Sequence, residues 1–482
     1  MKPFTIVLFL FSTNLLFAQK PAEDSFYRPQ FHFSPRINWV NDPNGLVYFE
    51  GEYHLFFQHN PFGSRWGHMT WGHAVSRDLI RWQELPIAIP EVGDTMIFSG
   101  SVVVDATNSS GFGQGGRPPL IAIYTAHQPN KQSQHLAYSL DKGRTWTKYS
   151  QNPILDFVPI QKDFRDPSVF WHEASKRWLM AVVLPHEQKA LFYTSKNLKN
   201  WELASEFQVK NSALGIWECP ALLEMPDAKK WLLLVSVGNG APAGGSGMQY
   251  FVGDFDGKTF TPQDTVARYV DHGPDFYAAI PFNNTPRRLL LGWMNNWRYA
   301  NELPTEPFRG QMALPRELSL TKINEKYELR QAFVAEHNKG GVLKLSTDLK
   351  VLNDFFKGHS QSVYALKFEA KAQDLEVWVR TGKNEQTRIG YDAQKKELYL
   401  DRRQSGQINF HKDFAGRYAA PLLPDAQGNI KCHILIDRCS VEVLANDGAA
   451  ALTCLVFPDK TSNQIKFLSG KLNNMIYYVP EK

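Results

Sequence analysis

Three acidic residues stand beside prolines in aromatic surroundings: Asp42 in Trp39-Val40-Asn41-Asp42-Pro43-Asn44-Gly45, Asp166 in Phe164-Arg165-Asp166-Pro167, and Glu218 in Trp217-Glu218-Cys219-Pro220. Proline removes a backbone donor and fixes φ, so a strand leaves its ladder there and presents the nearby acid at a strand end. Taken singly, each acid has an ordinary reading: Asp before Pro is a common turn residue, and Glu218 could be a surface charge. Together they suffice for hydrolysis of a glycosidic bond, in which one carboxyl protonates the leaving oxygen and another attacks or activates water. A third can stabilise the positive charge that develops between them. Arg165, adjacent to Asp166, reads either as a group that lowers a carboxylate's pKa and binds substrate hydroxyls or as half of a structural ion pair.

The acids matter only if the fold gathers them, and a repeat in the chain does so. Four segments share a strand, a polar turn and an aromatic residue soon after it: Ala74 to Trp82, Ala137 to Trp146, Tyr193 to Trp201 and Phe251 to Phe260. Their aligned Ser76, Ser139, Ser195 and Gly253 lie 63, 56 and 58 residues apart, a period suited to one four-stranded sheet with its loops. From Phe26 to Phe333 this spacing gives roughly five units, which predicts a five-bladed β-propeller over residues 26–335, with four and six blades as the neighbouring counts. Trp231 to Val237 and Arg288 to Trp293 supply further strands. Asp42, Asp166 and Glu218 precede their markers by 34, 29 and 35 residues, so all three are predicted to converge on the central channel. The same offset reaches Phe98-Ser99-Gly100-Ser101 in the second unit and follows Asp275-Phe276-Tyr277 in the fifth. A pocket ringed by acids, aromatics and hydroxyls is a sugar site with acid/base groups.

Beyond Leu329 the pattern changes. Glu336 to Gly341 reads as a linker, and short alternating runs follow at 362–370, 375–380, 397–400, 433–437, 440–444 and 450–457. A β-sandwich is predicted over residues 342–482, and the chain as a whole is all-β with few helices.

The 482 residues exceed what one core organises, and 43% hydrophobic with 21% charged residues describes a packed globular protein. Thirteen Trp, 18 Tyr and 32 Phe are more rings than core filling requires; sugar stacking and an aromatic-rich β core both account for them. Residues 1–18, with Lys2, an apolar stretch to Phe17 and Phe17-Ala18-Gln19 as a cut, read as a signal peptide, so an exported, periplasmic or secreted protein is expected. No Cys stands at that junction to take a lipid anchor, and no later apolar run has the length of a membrane span. The net charge of +5 carries no Lys/Arg cluster of the kind that tracks phosphates, so nucleic acid is not an expected partner. Cys219, Cys432, Cys439 and Cys454 form no CxxC pair; one bridge among the last three or three buried thiols are the alternatives, and neither a metal nor a cofactor is expected. Oligomeric state leaves no mark in the sequence.

The blocks Trp39 to Gly45, Phe56-Phe-Gln-His-Asn-Pro61, Phe98-Ser-Gly-Ser101, Arg165-Asp-Pro167, Trp217-Glu-Cys-Pro220 and Pro315-Arg-Glu-Leu-Ser-Leu320 resemble, in order, those of glycoside hydrolase family 32, the invertases, inulinases and levanases. Ile434 to Asp447 resembles the family's Asp-Arg-x-Ser-x-Glu hairpin. The resemblance implies a five-bladed propeller with an appended β-sandwich, and hydrolysis of β-D-fructofuranosides with retention. Asp42 matches the family's nucleophile, Glu218 its general acid/base and Asp166 its transition-state stabiliser. Asn41, Gln58, Trp66, Ser99 and Arg165 match fructose-contacting positions, and Trp39, Phe98 and Trp293 match aromatic walls. Asp rather than Glu at position 42 favours exo action in this family. Ala221 follows Pro220 where bacterial relatives often carry Asp, a departure on the leaving-group side. The expected substrate is levan, inulin or sucrose. A fructosyltransferase, a fructan-binding protein without catalysis and a related arabinose-directed furanosidase are the alternatives.

Overall fold

The computed structural model describes residues 25–157, 162–209, 215–338, 340–359 and 361–480. The expected signal peptide lies outside the described residues. Strand residues dominate, and the single α-helix among the described residues, Leu349–Gly358, is capped by Asp348, whose carboxylate accepts from the amides of Lys350 and Val351.

Five antiparallel sheets form a five-bladed propeller. The first blade runs Asn38–Phe49, Glu52–Asn60, Thr70–Ser76, Gln83–Ile89, and the second Met96–Val104, Leu120–Gln128, Lys131–Ser139, Thr147–Lys148. The third comprises Arg165–His172, Arg177–Leu184, Lys189–Ser195, Glu202–Gln208, and the fourth Trp217–Met225, Lys230–Val237, Gly247–Phe255, Phe260–Pro262. The fifth is built from Tyr277–Pro281, Leu289–Met294, Arg316–Ile323 and Lys326–Phe333. Phe308–Arg309 leaves the fifth blade to pair in parallel with Asn38–Trp39 of the first, which closes the ring.

The sequence markers lie on the third strand of each of the first four blades, and the turn chemistry explains why they recur. Ser76, Ser139 and Ser195 accept turn amides, from Asp78 (3.1 Å), Gly143 (2.8 Å) and Leu198 (2.9 Å). Leu79, Gly143 and Leu198 then take positive φ, and the indole N–H of Trp82, Trp146 and Trp201 donates to their carbonyls at 3.0–3.1 Å. Each of these tryptophans, like Phe260, also packs into a different interblade cluster. One group of aromatics is therefore architectural.

After Phe333 two sheets stack as a β-sandwich. One has six strands, Val342–Lys344, Leu472–Tyr478, Tyr364–Lys371, Asn429–Asp437, Ser440–Ala445 and Ala450–Leu455; the other has five, Arg417–Pro421, Glu397–Gln404, Gln386–Asp392, Leu375–Thr381 and Gln464–Ser469. Leu352 and Phe356 of the helix join their common core. The four cysteines are free, buried thiols.

The sandwich is joined to the propeller by a buried polar network. Arg316 bridges Asp271 and Glu442, 2.9 Å from each, and donates to Thr453 Oγ1. His32 lies 2.9 Å from Asp437 and 2.8 Å from Glu442. Asp437 also accepts the amides of Gln30 and Phe31. Burial opposes the charge of His32, but the hydrogen bonds to Asp437 and Glu442 outweigh it and raise its pKa to about 9. The Asp-Arg-x-Ser-x-Glu hairpin and Arg316 are thus the two halves of an interdomain lock.

Candidate active site

The innermost strand of every blade breaks its pairing register at the same level, where two residues go unpaired. The interruptions fall between Val40 and Pro43, Ile97 and Gly100, Arg165 and Ser168, Glu218 and Ala221, and Tyr277 and Ile280. Such bulges re-aim side chains, and here they turn five strands inward around the channel. Asp166, Cys219 and Ala278 take positive φ within them. Gly45 lies in a second register shift of the same strand as Asp42, between Asn44 and Val47, at φ 53°, where a Cβ would sit 2.7 Å from Val102 and 2.8 Å from Phe56.

The three acids share this level but not one register position. Glu218 is the last paired residue before its bulge, Asp166 the first unpaired residue and Asp42 the second. Residues at equal positions in neighbouring blades meet side by side. Asp42 and Ser99 do so, the Ser99 hydroxyl donating to Asp42 Oδ2 at 2.7 Å. Arg165, Glu218 and Tyr277 form a second row across blades three to five: Arg165 Nε and Nη2 donate to Glu218 Oε1 at 3.2 and 3.0 Å, and the Tyr277 hydroxyl donates to Oε2.

Asp42 Oδ1 accepts from Asn41 Nδ2 at 3.0 Å, and Asn41 is in turn held by the indole of Trp39 at 2.7 Å. Asp166 Oδ2 accepts the Cys219 amide at 2.9 Å, and the Cys219 sulfur lies 3.6 Å from Asp42 and 3.8 Å from Asp166. Burial, followed by the charges of Asp166, Asp42 and Glu218, pushes that thiol well up, so it stays a neutral S–H between two carboxyls and is no nucleophile. Burial also raises Asp42, with Glu218 adding to the effect against the hydrogen bonds from Ser99 and Asn41. For Asp166 burial leads, Arg165 opposes it, Glu218 and Asp42 reinforce it, and the pKa reaches about 7.

Above the acids opens a pocket of ≈ 330 Å³, lined by Asn41, Asp42, Gln58, Trp66, Phe98, Ser99, His127, Gln132, Lys162, Asp163, Arg165, Asp166, Glu218 and Trp297. Its ring surfaces are Trp66, Phe98 and Trp297. Phe98 stacks on His127 with centroids 4.3 Å apart. Gln58 is anchored through Nε2 to the Ile97 carbonyl at 3.0 Å. Asp163 and Gln132 hold Arg165 from behind, at 2.9 and 3.4 Å.

A family model of the glycosyl hydrolases family 32 N-terminal domain matches residues 32–332, and one of the family's C-terminal domain matches residues 325–476. The chain belongs to glycosyl hydrolase family 32. It is a glycoside hydrolase, 46% identical to a levanase of Bacillus subtilis (strain 168) over 96% of this chain and 72% of that one. It is 41% identical to an extracellular exo-inulinase of Aspergillus awamori over 92% of each chain. Among solved structures it matches the Aspergillus awamori exo-inulinase with TM-score 0.88 and 37% identity, covering 95% of this chain and 99% of that one. It matches a β-fructofuranosidase from Schwanniomyces occidentalis complexed with fructosyl-erythritol with TM-score 0.85 and 32% identity, covering 97% and 99%.

Of the eleven site residues expected from the sequence, nine line the pocket; Trp39 and Trp293 do not. Both are fully buried and pack behind Trp297, with ring centroids 5.9 and 4.8 Å from it. The wall expected of them is supplied by Trp297. Trp39 acts through Asn41, and Trp293 pairs with Tyr277 across the strands of the fifth blade. Ala221 pairs with Leu234 in the core and is no part of the pocket lining. Sequence reasoning passed over Trp297, Gln132, His127 and Asp163.

Proposed function

We propose that the protein is an exported, retaining, exo-acting β-fructofuranosidase that releases fructose from the ends of levan, inulin or sucrose. The observation that carries this reading is the row and its neighbour at the channel mouth: a carboxyl between Arg165 and Tyr277, facing a second carboxyl held by Ser99 and Asn41. Glu218 gives its proton to the glycosidic oxygen while ionised Asp42 attacks the anomeric carbon, forming a fructosyl ester with Asp42. Glu218, now a carboxylate, takes a proton from water, which opens the ester and restores both groups. Asp166 and Arg165, with Asn41, Gln58 and Ser99, bind sugar hydroxyls, and Trp66, Phe98 and Trp297 hold apolar ring faces.

Exo action is supported by Asp rather than Glu at position 42. It is further supported by the exo-inulinase relatives. Export is supported by the amino-terminal sequence and by the extracellular relatives. Incubation with sucrose, inulin and levan followed by chromatography tests the reading. Fructose alone from the fructans, accumulating from the first time point, is expected. Early oligosaccharides would mean internal cleavage or transfer.

A further inference from the structure

Glu218 has to serve twice, as an acid and then as a base, and its two oxygens have different surroundings. Oε1 receives two N–H groups from Arg165, and an oxygen facing two cationic donors has no room for a proton of its own. The catalytic proton therefore belongs on Oε2. The group meeting Oε2 is the hydroxyl of Tyr277, 1% exposed and aimed from the fifth blade by the bulge that follows it. A phenol O–H can donate to Oε2 in either form of Glu218, because the hydroxyl oxygen of the acid keeps a lone pair, so Tyr277 holds that atom while the acid's own O–H stays free to face the leaving oxygen. Burial, then the neighbouring Glu218, holds the Tyr277 phenol well above its ordinary pKa, so it keeps its own proton throughout.

We propose that Tyr277 is a positioning residue that holds Oε2 of Glu218, the proton-bearing oxygen, in place in both protonation states, so that acid and base steps use one atom at one location. Trp293, edge-on to Tyr277 at 6.5 Å and fully buried, fixes the phenol's ring. The inference rests on the acid/base role of Glu218 proposed above. The charged and titratable groups around Glu218 are Arg165 and Asp166 from the third blade, Asp42 from the first, Tyr277 from the fifth and Cys219 beside it in the chain; Asp163 and His127 reach it through Arg165.

The test compares kcat/KM on sucrose, whose leaving group needs a proton, with kcat/KM on an aryl β-fructofuranoside, whose leaving group does not. Tyr277→Phe is expected to lose about 10- to 100-fold on sucrose and little on the aryl substrate. In a Glu218→Ala background it is expected to add no further loss. Equal loss on both substrates, or full additivity in the double variant, would overturn the role of Tyr277. Equal loss on both substrates in Glu218→Ala alone would instead overturn the acid assignment, so the two failures are distinct. Replacement of Tyr277 by 3-fluorotyrosine keeps the ring and strengthens the donor. Donation favours the charged carboxylate, so the alkaline limb of kcat/KM on sucrose should move to lower pH with 3-fluorotyrosine and to higher pH with Tyr277→Phe. Limbs that stay fixed or move together would overturn the proposal.

Discussion

Two clusters in this molecule each gather three acids, and they treat them in opposite ways. In the channel Asp42, Asp166 and Glu218 share one cation, Arg165, which is itself divided with Asp163. At the interdomain lock Asp271, Asp437 and Glu442 share two, His32 and Arg316, together with amides of Gln30, Phe31, Leu314 and Thr453. The consequence is visible in the protonation equilibria. Burial dominates Asp42 and Asp166 and raises both. Burial also opposes the charge of Asp437 and Glu442, but hydrogen bonds from His32, with Arg316 acting on Glu442, win and lower both. A cluster short of donors stores unfavourable charge that a reaction can use, whereas a cluster with donors in supply holds two domains together.

The largest effect should come from removing Asp42 from the under-compensated cluster. Asp42→Ala is expected to lower kcat by about 10⁴-fold or more with no fall in melting temperature; retention of more than a tenth of the activity would remove Asp42 from the centre of the chemistry. The lock should answer in the other currency. Arg316→Met leaves Asp271 buried without its cation and Glu442 with His32 alone, and is expected to lose about 3–5 kcal/mol in denaturant unfolding, while the folded fraction keeps its kcat. A stable variant with damaged turnover would show that the two clusters are coupled.

Smaller changes sharpen the contrast through pH. Asp166 has a pKa of about 7 in the folded protein against an ordinary 3.8, so its stabilising contribution is full below about pH 4 and lost as pH rises through 7. Asp166→Asn should therefore be inactive yet more stable than the parent at pH 8, by on the order of 1–3 kcal/mol, with the difference vanishing near pH 4. Equal stability at both pH values would contradict the raised pKa. His32 runs the opposite course at the lock: raised from 6.5 to about 9, it contributes fully below pH 6.5 and loses its contribution as pH rises through 9. The stability gap between the parent and His32→Gln should shrink by about 1–2 kcal/mol between pH 6 and pH 10, as followed by thermal unfolding; a constant gap would mean that His32 is neutral in the lock.

Much of this was legible in the sequence because it is written in local chemistry. The Ser, positive-φ and aromatic turn of three blades, with Gly253 in place of the Ser in the fourth, repeats within ten residues, and from it follow the period, the five blades and the convergence of Asp42, Asp166 and Glu218. The fifth blade lacks that turn because its chain makes the excursion from Asn295 to Pro315 before the third strand, and Trp297, the ring the sequence missed, lies on that excursion. The one-residue stagger of the acids was hidden for a related reason: counting residues between markers does not reveal where a bulge absorbs them. Trp39 and Trp293 were expected as walls of the site but pack behind Trp297, since residue type does not say which way a bulged strand turns a ring. The lock was flagged only as a resembling hairpin. Its partners are remote, His32 lying 405 residues from Asp437 and Arg316 126 from Glu442.

The central claim is that the channel acids carry out double displacement with Asp42 as the nucleophile. Rapid acid quench of Glu218→Ala during turnover of an aryl β-fructofuranoside, followed by proteolysis and mass spectrometry, tests it most directly. The peptide containing Asp42, and no other, should gain the mass of one dehydrated hexose. A label on Asp166, or fructose release with no labelled peptide at any quench time, would contradict it.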